Sequence, residues 1–216
     1  NRLIGENDIY ICKLIRNDSI DEFIKYVNTT NYPLDSQLGD SIFETNKLLK
    51  CKNPTLIEYA TFFGSIQIFK YLQLNNVKLG SSLWPHAIHG KNSEIIHILE
   101  ENNIKPTKKY SSDTFSYEHI LDVSIKCHHI DIMKYIQDNY FQFDENNSFL
   151  YLERGFNSFN FTLIEYFEDL LKNGFLIFKM LCKYDYITLA DFYLNNEKID
   201  ICCDFNNANG YHYHKN

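Results

Sequence analysis

The chain has 216 residues, 44% of them apolar, and a formal net charge of −7 at pH 7. This apolar content excludes wholesale disorder, and an acidic balance without a stripe of Lys and Arg excludes phosphate-backbone binding as the main role. Lys179 and Lys183 interrupt the apolar run that begins at Phe175, so no run has the length of a membrane span. We therefore expect neither a nucleic acid nor a membrane as partner.

The first predicted element is a helix pair near residues 8–28. Apolar residues recur at helical spacing in IYICKLIR and again from Ile20 to Val27, with a turn at Asn17 and Asp18 between them. The pair is predicted to cap the N-terminal end of the fold, because a terminal repeat has one open side.

An insertion is predicted after this pair. Pro33 and Gly39 break the helical periodicity, which indicates a loop. Ser41 and Glu44 then have the S-x-x-E spacing of a capping box, so a short extra helix is expected from residue 42 to 49. We expect the helix to pack on its neighbours, with a recognition role as the alternative.

A second helix pair occupies residues 53–76. The stripe Leu56, Ile57, Ala60 and Phe63 follows helical spacing, and Gly64 can adopt the left-handed conformation that ends a helix. The partner helix, residues 66–74, has an apolar stripe wider than one neighbouring helix would cover. The pair therefore needs further neighbours.

The same pattern recurs along the rest of the chain. Moving the segment that begins at Leu56 forward by 27 positions, without a gap, superposes it on the segment that begins at Leu83. The pair that contains Leu83 lies near residues 80–103, and further pairs follow near residues 117–140, 148–172 and 174–196. Small residues recur at one place in the pattern, namely Ala60, Ala87, Ser124, Gly155 and Cys182. Closely crossing helices leave no room for a large side chain there, so the repetition predicts stacked helix pairs.

The segment TLIEYATFFGSIQIFKYLQLNN resembles the ankyrin repeat, with Thr55, Ala60, Gly64 and Leu72 in register. The TPLH tetrapeptide of that family is degenerate, since Glu58, Pro85 and Asp122 stand at the histidine place. The region 9–101 is similar to the divergent ankyrin-associated domain of unknown function found in many protist ankyrin proteins. The resemblance implies an all-α solenoid of about six ankyrin-like helix pairs with short or absent β-hairpin fingers.

We therefore expect one repeat array over residues 1–201. Residues 202–216 are expected to be a truncated further repeat or a disordered tail. The aromatic residues of the fifth repeat, Phe149 to Phe167, have helical spacing and are interpreted as core rather than as a ligand site.

No catalytic motif or convergent metal-binding motif is present. His128 and His129 are adjacent and point apart, and the spacing of Cys202 and Cys203 from His212 and His214 matches no zinc motif. The six cysteines lack a disulfide framework, which favours reduced thiols in a cytoplasmic protein. We expect no enzyme activity, no cofactor and no bound metal.

The expected function is a protein–protein interaction scaffold or adaptor, and a monomer is expected. The alternative is the targeting module of a larger enzyme or effector whose catalytic domain lies outside these residues. Ankyrin repeats bind ligands with the end of each first helix. The resemblance therefore implies a partner-binding role for Phe62, His89, Lys126 and Asn157. Phe62 is expected either to be an exposed anchor or to pack on the next repeat.

Overall fold

A computed structural model describes residues 5–50, 53–106, 117–140, 145–163 and 174–196. These residues form twelve helices: α1 Tyr10–Arg16, α2 Ile20–Thr30, α3 Lys47–Lys50, α4 Leu56–Phe63, α5 Ile66–Leu74, α6 Leu83–Gly90, α7 Ser93–Glu101, α8 Tyr117–Lys126, α9 Ile130–Tyr140, α10 Glu145–Asn157, α11 Gly174–Lys183 and α12 Ile187–Asn196. Within these ranges no strand is formed, and one isolated bridge joins Gln37 to Thr55. The prediction of an all-α protein is confirmed for this part of the chain.

The chain divides into two compact units, Asn1–Phe141 and Gln142–Asn216. In the first unit, α1, α4, α6 and α8 form one layer in which each helix packs on the next. The helices α2, α5 and α7 pack on one another in the same order and form a second layer. Each helix of the first layer is also packed against its partner of the second or, for α8, against α9.

The turns between paired helices share one backbone conformation. In each described pair, one turn residue has a positive φ, and these residues are Asp18, Gly64, Lys91, His128 and Asp185. The left-handed conformation ends a helix and reverses the chain within few residues, so the second helix returns antiparallel to the first. Glycine fills only one of these turns, which is why the sequence showed a clear helix stop at Gly64 alone.

Small residues lie where the first-layer helices meet. Ala60 and Ala87 are fully buried, and a Cβ atom added at Gly90 would lie 2.3 Å from the Thr61 carbonyl oxygen. The ends of α4 and α6 are therefore in backbone contact. Ser124 and Gly155, at the same place in later helices, are buried, whereas Cys182 is exposed.

Hydrogen bonds connect successive helix pairs near their turns. Asp18, in the first turn, accepts hydrogen bonds from the backbone N–H groups of Gln67 and Ile68, each at 3.0 Å, and so caps α5 of the second pair. Asn92 donates from Nδ2 to the Gly64 carbonyl oxygen at 3.0 Å, which joins the second pair to the third. These contacts fix the offset between neighbours.

The insertion segment, defined here as residues 31–50 together with Asn53 and Pro54, contains less helix than the sequence predicts. Its helix is α3, four residues long, and not the predicted span from 42 to 49. The Glu44 carboxylate does not return to Ser41 but accepts from the Asn46 backbone N–H at 2.9 Å. The capping box forms instead at the start of α4, where Thr55 Oγ1 accepts from the Glu58 N–H and Glu58 accepts from the Thr55 N–H.

The second unit is described in part. Phe156 of α10 stacks on Tyr184 at the end of α11, with ring centroids 5.9 Å apart, and also contacts Phe161 and Tyr186. Tyr151 and Phe156 are buried, so the prediction that the aromatic residues of the fifth repeat form core is confirmed for these two, whereas Phe159 is 68% exposed and the prediction is wrong there. The second helix predicted for the fifth repeat and the segment 202–216 lie outside the described residues.

Candidate partner-binding surface

The four residues implied by the resemblance end in different environments. Phe62 is buried, with 4% of its surface exposed, and His89 is half-buried. Lys126 and Asn157 are exposed, Lys126 on α8 of the first unit and Asn157 at the end of α10 in the second. Phe62, His89 and Lys126 belong to the first unit, and Asn157 belongs to the second.

The expectation that Phe62 is exposed is wrong. Its ring stacks on the imidazole of His89, with centroids 3.7 Å apart and planes 19° apart. Because α4 lies between α1 and α6 and also packs on α5, nearly all of its circumference is covered. Phe63, assigned to the apolar stripe from the sequence, is the half-buried residue instead and packs against Tyr59. The alternative expectation is the correct one, because Phe62 packs on His89 of the next repeat.

Phe62 and the insertion segment hold the His89 ring in place. Its Nε2 atom lies 3.4 Å from Nδ2 of Asn46, and the Phe62 ring covers one face. Burial lowers the pKa of His89, and the nearby His129 and His86 lower it further. A neutral imidazole can accept the Asn46 amide hydrogen at Nε2.

His129 extends this environment to the next helix pair. It follows the turn after α8 and is half-buried. Burial lowers its pKa first, and the charge of Lys91 lowers it further. We call His89, Lys91, Lys126 and His129 the turn-end surface, since each belongs to the end of a first-layer helix or to the turn after it. Its side chains combine two imidazoles that favour the neutral form with two exposed ammonium groups.

Lys126 is held by a partner on its own helix. Its Nζ atom lies 2.7 Å from a carboxylate oxygen of Asp122, one helical turn earlier, and its side chain remains 60% exposed. An ion pair this exposed contributes little to stability, about 0.3–0.5 kcal/mol. The pair leaves the ammonium accessible to a ligand. The sequence reasoning missed His129 and Asn46, although the shared turn pattern could have suggested His129.

Burial makes two of the described cysteines, Cys12 and Cys127, poor nucleophiles. Cys12, Cys127 and Cys182 are free thiols. Burial raises the pKa of Cys12 to about 12 against the opposing effect of Arg16, and burial also raises the pKa of Cys127. The thiolate form of these two residues is scarce at neutral pH. Cys51 and the Cys202, Cys203, His212 and His214 group lie outside the described residues.

Metal binding and membrane insertion find no support in the same ranges. Over residues 5–50, 53–106, 117–140, 145–163 and 174–196, no group of three or more His, Cys, Asp or Glu side chains converges in a way that could hold a metal ion. No helix within them combines the length and the apolar character needed to cross a bilayer. Comparison with protein-family models, curated sequences and solved structures gave no match.

Proposed function

We propose that the chain is a non-enzymatic protein–protein interaction scaffold or adaptor, built as a solenoid of ankyrin-like helix pairs. The observation that supports this proposal best is the layered packing of the first unit. Its first helices stack in the order α1, α4, α6, α8, and its second helices in the order α2, α5, α7. A stack of this kind places equivalent positions of successive repeats side by side and so gives an extended surface for recognition.

The turn-end surface is the proposed contact region. Lys91 and Lys126 are exposed in it, and His89 and His129 are half-buried. The lysine ammonium groups are charged donors and the imidazoles are neutral ones. Such a surface suits a protein ligand that has both carboxylates and neutral hydrogen-bond acceptors. Phe62 contributes from beneath by supporting the His89 ring, and does not itself contact the partner. Asn157 is a second proposed contact, on the second unit.

Site-specific photo-crosslinking tests the contact region. A benzophenone amino acid is placed at Lys126, and in a control protein at His97, which is 69% exposed on α7 of the other layer. Both proteins are irradiated in an extract of the cells that produce the chain. We expect a discrete partner to be captured from position 126 and not from position 97.

Binding to the captured partner is then measured with the combined variant His89→Ala and Lys126→Ala. Truncating central interface residues costs about 1–3 kcal/mol, so we expect binding at least about tenfold weaker. The matched control His97→Ala should bind as the unmodified chain does. Equal capture from both positions, or unchanged affinity in the combined variant, would refute the proposed surface.

A further inference from the structure

A cavity of about 360 Å³ lies between the insertion segment and α4. Its floor consists of buried side chains that include Asn7, Glu44, Leu49 and Tyr59. Residues of the insertion segment form its mouth, where Asp40, Ile42 and Lys50 are exposed. The volume is at the small end of the range for ligand pockets and would accommodate one small molecule or one side chain.

The floor of the cavity contains an unpaired carboxylate oxygen. Glu44 is 6% exposed, and its Oε1 atom accepts the Asn46 N–H. Its Oε2 atom is buried and has no hydrogen-bond partner among the described residues. A buried carboxylate oxygen without a partner is costly, and a specific unsatisfied group in a folded protein points to an additional binding partner.

Arg16, a half-buried cation that contacts Asn7 and Tyr59 of the cavity floor, is committed to other acceptors. Arg16 donates from Nη1 to the Asn7 carbonyl oxygen at 2.7 Å and to the Tyr59 hydroxyl at 2.8 Å. Its Nε atom pairs with Glu6 at 2.9 Å. Burial raises the pKa of the Tyr59 hydroxyl, and the negative charge of Glu44 raises it further. The cavity floor therefore favours a positive ligand.

We propose that this cavity binds a short alkylammonium group, with Glu44 Oε2 as the acceptor for the ammonium. Only one oxygen of Glu44 lacks a hydrogen-bond partner among the described residues, which suits a compact ammonium better than a guanidinium, because a guanidinium pairs with both oxygens of a carboxylate. Leu49 and Pro54 supply apolar walls for the alkyl chain, and the exposed Asp40 and Lys50 place one charge of each sign at the mouth. This site is separate from the turn-end surface and does not depend on its function.

An alkylammonium group can come from a free aliphatic amine or from the lysine side chain of a protein. The test is a ¹H–¹⁵N NMR titration of the full chain that follows the amides of Asn46 and Tyr59. The probes are n-butylammonium, Nα-acetyl-lysine N-methylamide and the uncharged 1-butanol. We expect both cations to shift these amides and 1-butanol to leave them unchanged. The tighter of the two cations identifies the source.

The variant Glu44→Gln tests the acceptor. Glutamine keeps the oxygen that accepts the Asn46 N–H and replaces the other oxygen with an N–H₂ donor that repels the ammonium. We expect both cations to bind at least about tenfold more weakly, because a hydrogen bond to a charged group is lost. Glu22→Gln, on the exposed face of α2, is the matched control and should bind as the unmodified chain does.

Three results would overturn the proposal. They are no amide shift with either cation, equal shifts with 1-butanol, or unchanged affinity in Glu44→Gln. The comparison of charged and uncharged probes is made on the unmodified chain, so it decides the question even if Glu44→Gln unfolds.

Discussion

Gly90→Ala tests the closest contact between the first-layer helices. The new Cβ atom would lie 2.3 Å from the Thr61 carbonyl oxygen, 3.0 Å from the Gly64 nitrogen and 3.1 Å from the Phe62 carbonyl oxygen. All three are backbone atoms, so no side chain can rotate away. The ends of α4 and α6 must separate by roughly 0.7 Å to reach even the 3.0 Å lower limit of real Cβ contacts.

Two opposing effects set the size of the change. Alanine favours a helix over glycine by up to about 1 kcal/mol, and overpacking a close-packed contact costs about 1–3 kcal/mol or more. Because the displaced atoms are backbone, the steric cost dominates. We expect the free energy of unfolding to fall by about 1–3 kcal/mol in Gly90→Ala.

Urea denaturation followed by tryptophan fluorescence measures this change. The chain has one tryptophan, Trp84, which is buried in the same helix as Gly90 and therefore reports on the first unit. Gly80→Ala is the matched control, since its Cβ would meet nothing closer than Ser82 Oγ at 3.7 Å. If Gly90→Ala were as stable as Gly80→Ala, the close approach of α4 and α6 would be refuted.

The remaining predictions concern packing, capping and protonation. Phe62→Ala should lower the free energy of unfolding by about 3–5 kcal/mol, as for a buried aromatic residue, in the same urea assay. Ala87→Leu should lower it by about 1–3 kcal/mol through overpacking between α4, α6 and α8. Asp18→Asn should lower it by about 1 kcal/mol, because the cap of α5 loses a charged acceptor. Burial lowers the pKa of His86 against the opposing effect of Glu58, so the unfolded chain binds this proton more readily and stability should fall as pH drops below about 6.5. His86→Gln should reduce that fall, measured as melting temperature between pH 7.5 and 5.5.

Matched controls separate these effects from general destabilisation. Asp35→Asn, in an exposed turn outside the helices, should leave stability almost unchanged where Asp18→Asn does not. His97→Gln removes an exposed histidine and should retain the pH dependence that His86→Gln reduces. Equal behaviour within either pair would contradict the corresponding argument. Asn76→Ala, in the exposed turn after α5, does not serve as a control for the packing variants, because the φ of 63° at Asn76 would strain an alanine.

The sequence by itself determined the helical content of the chain. Apolar residues at helical spacing predict the span of α5, Ile66–Leu74, at both ends and that of α4, Leu56–Phe63, to within one residue. The periodicity succeeds because each helix must bury one continuous stripe. It also indicated that Ala60 and Ala87 occupy a tight place, since a small residue repeated at a fixed spacing has a steric cause.

Tertiary structure decided which residues face solvent and what the insertion segment does. Phe62 and Phe63 are neighbours of one type, and only the position of α4 between α1 and α6 buries the first and partly exposes the second. Glu44 had a local pattern for a capping box, yet its carboxylate accepts the hydrogen bond of the Asn46 N–H instead. These outcomes depend on contacts between residues far apart in the chain, such as Asn46 with His89, for which local spacing contains no information.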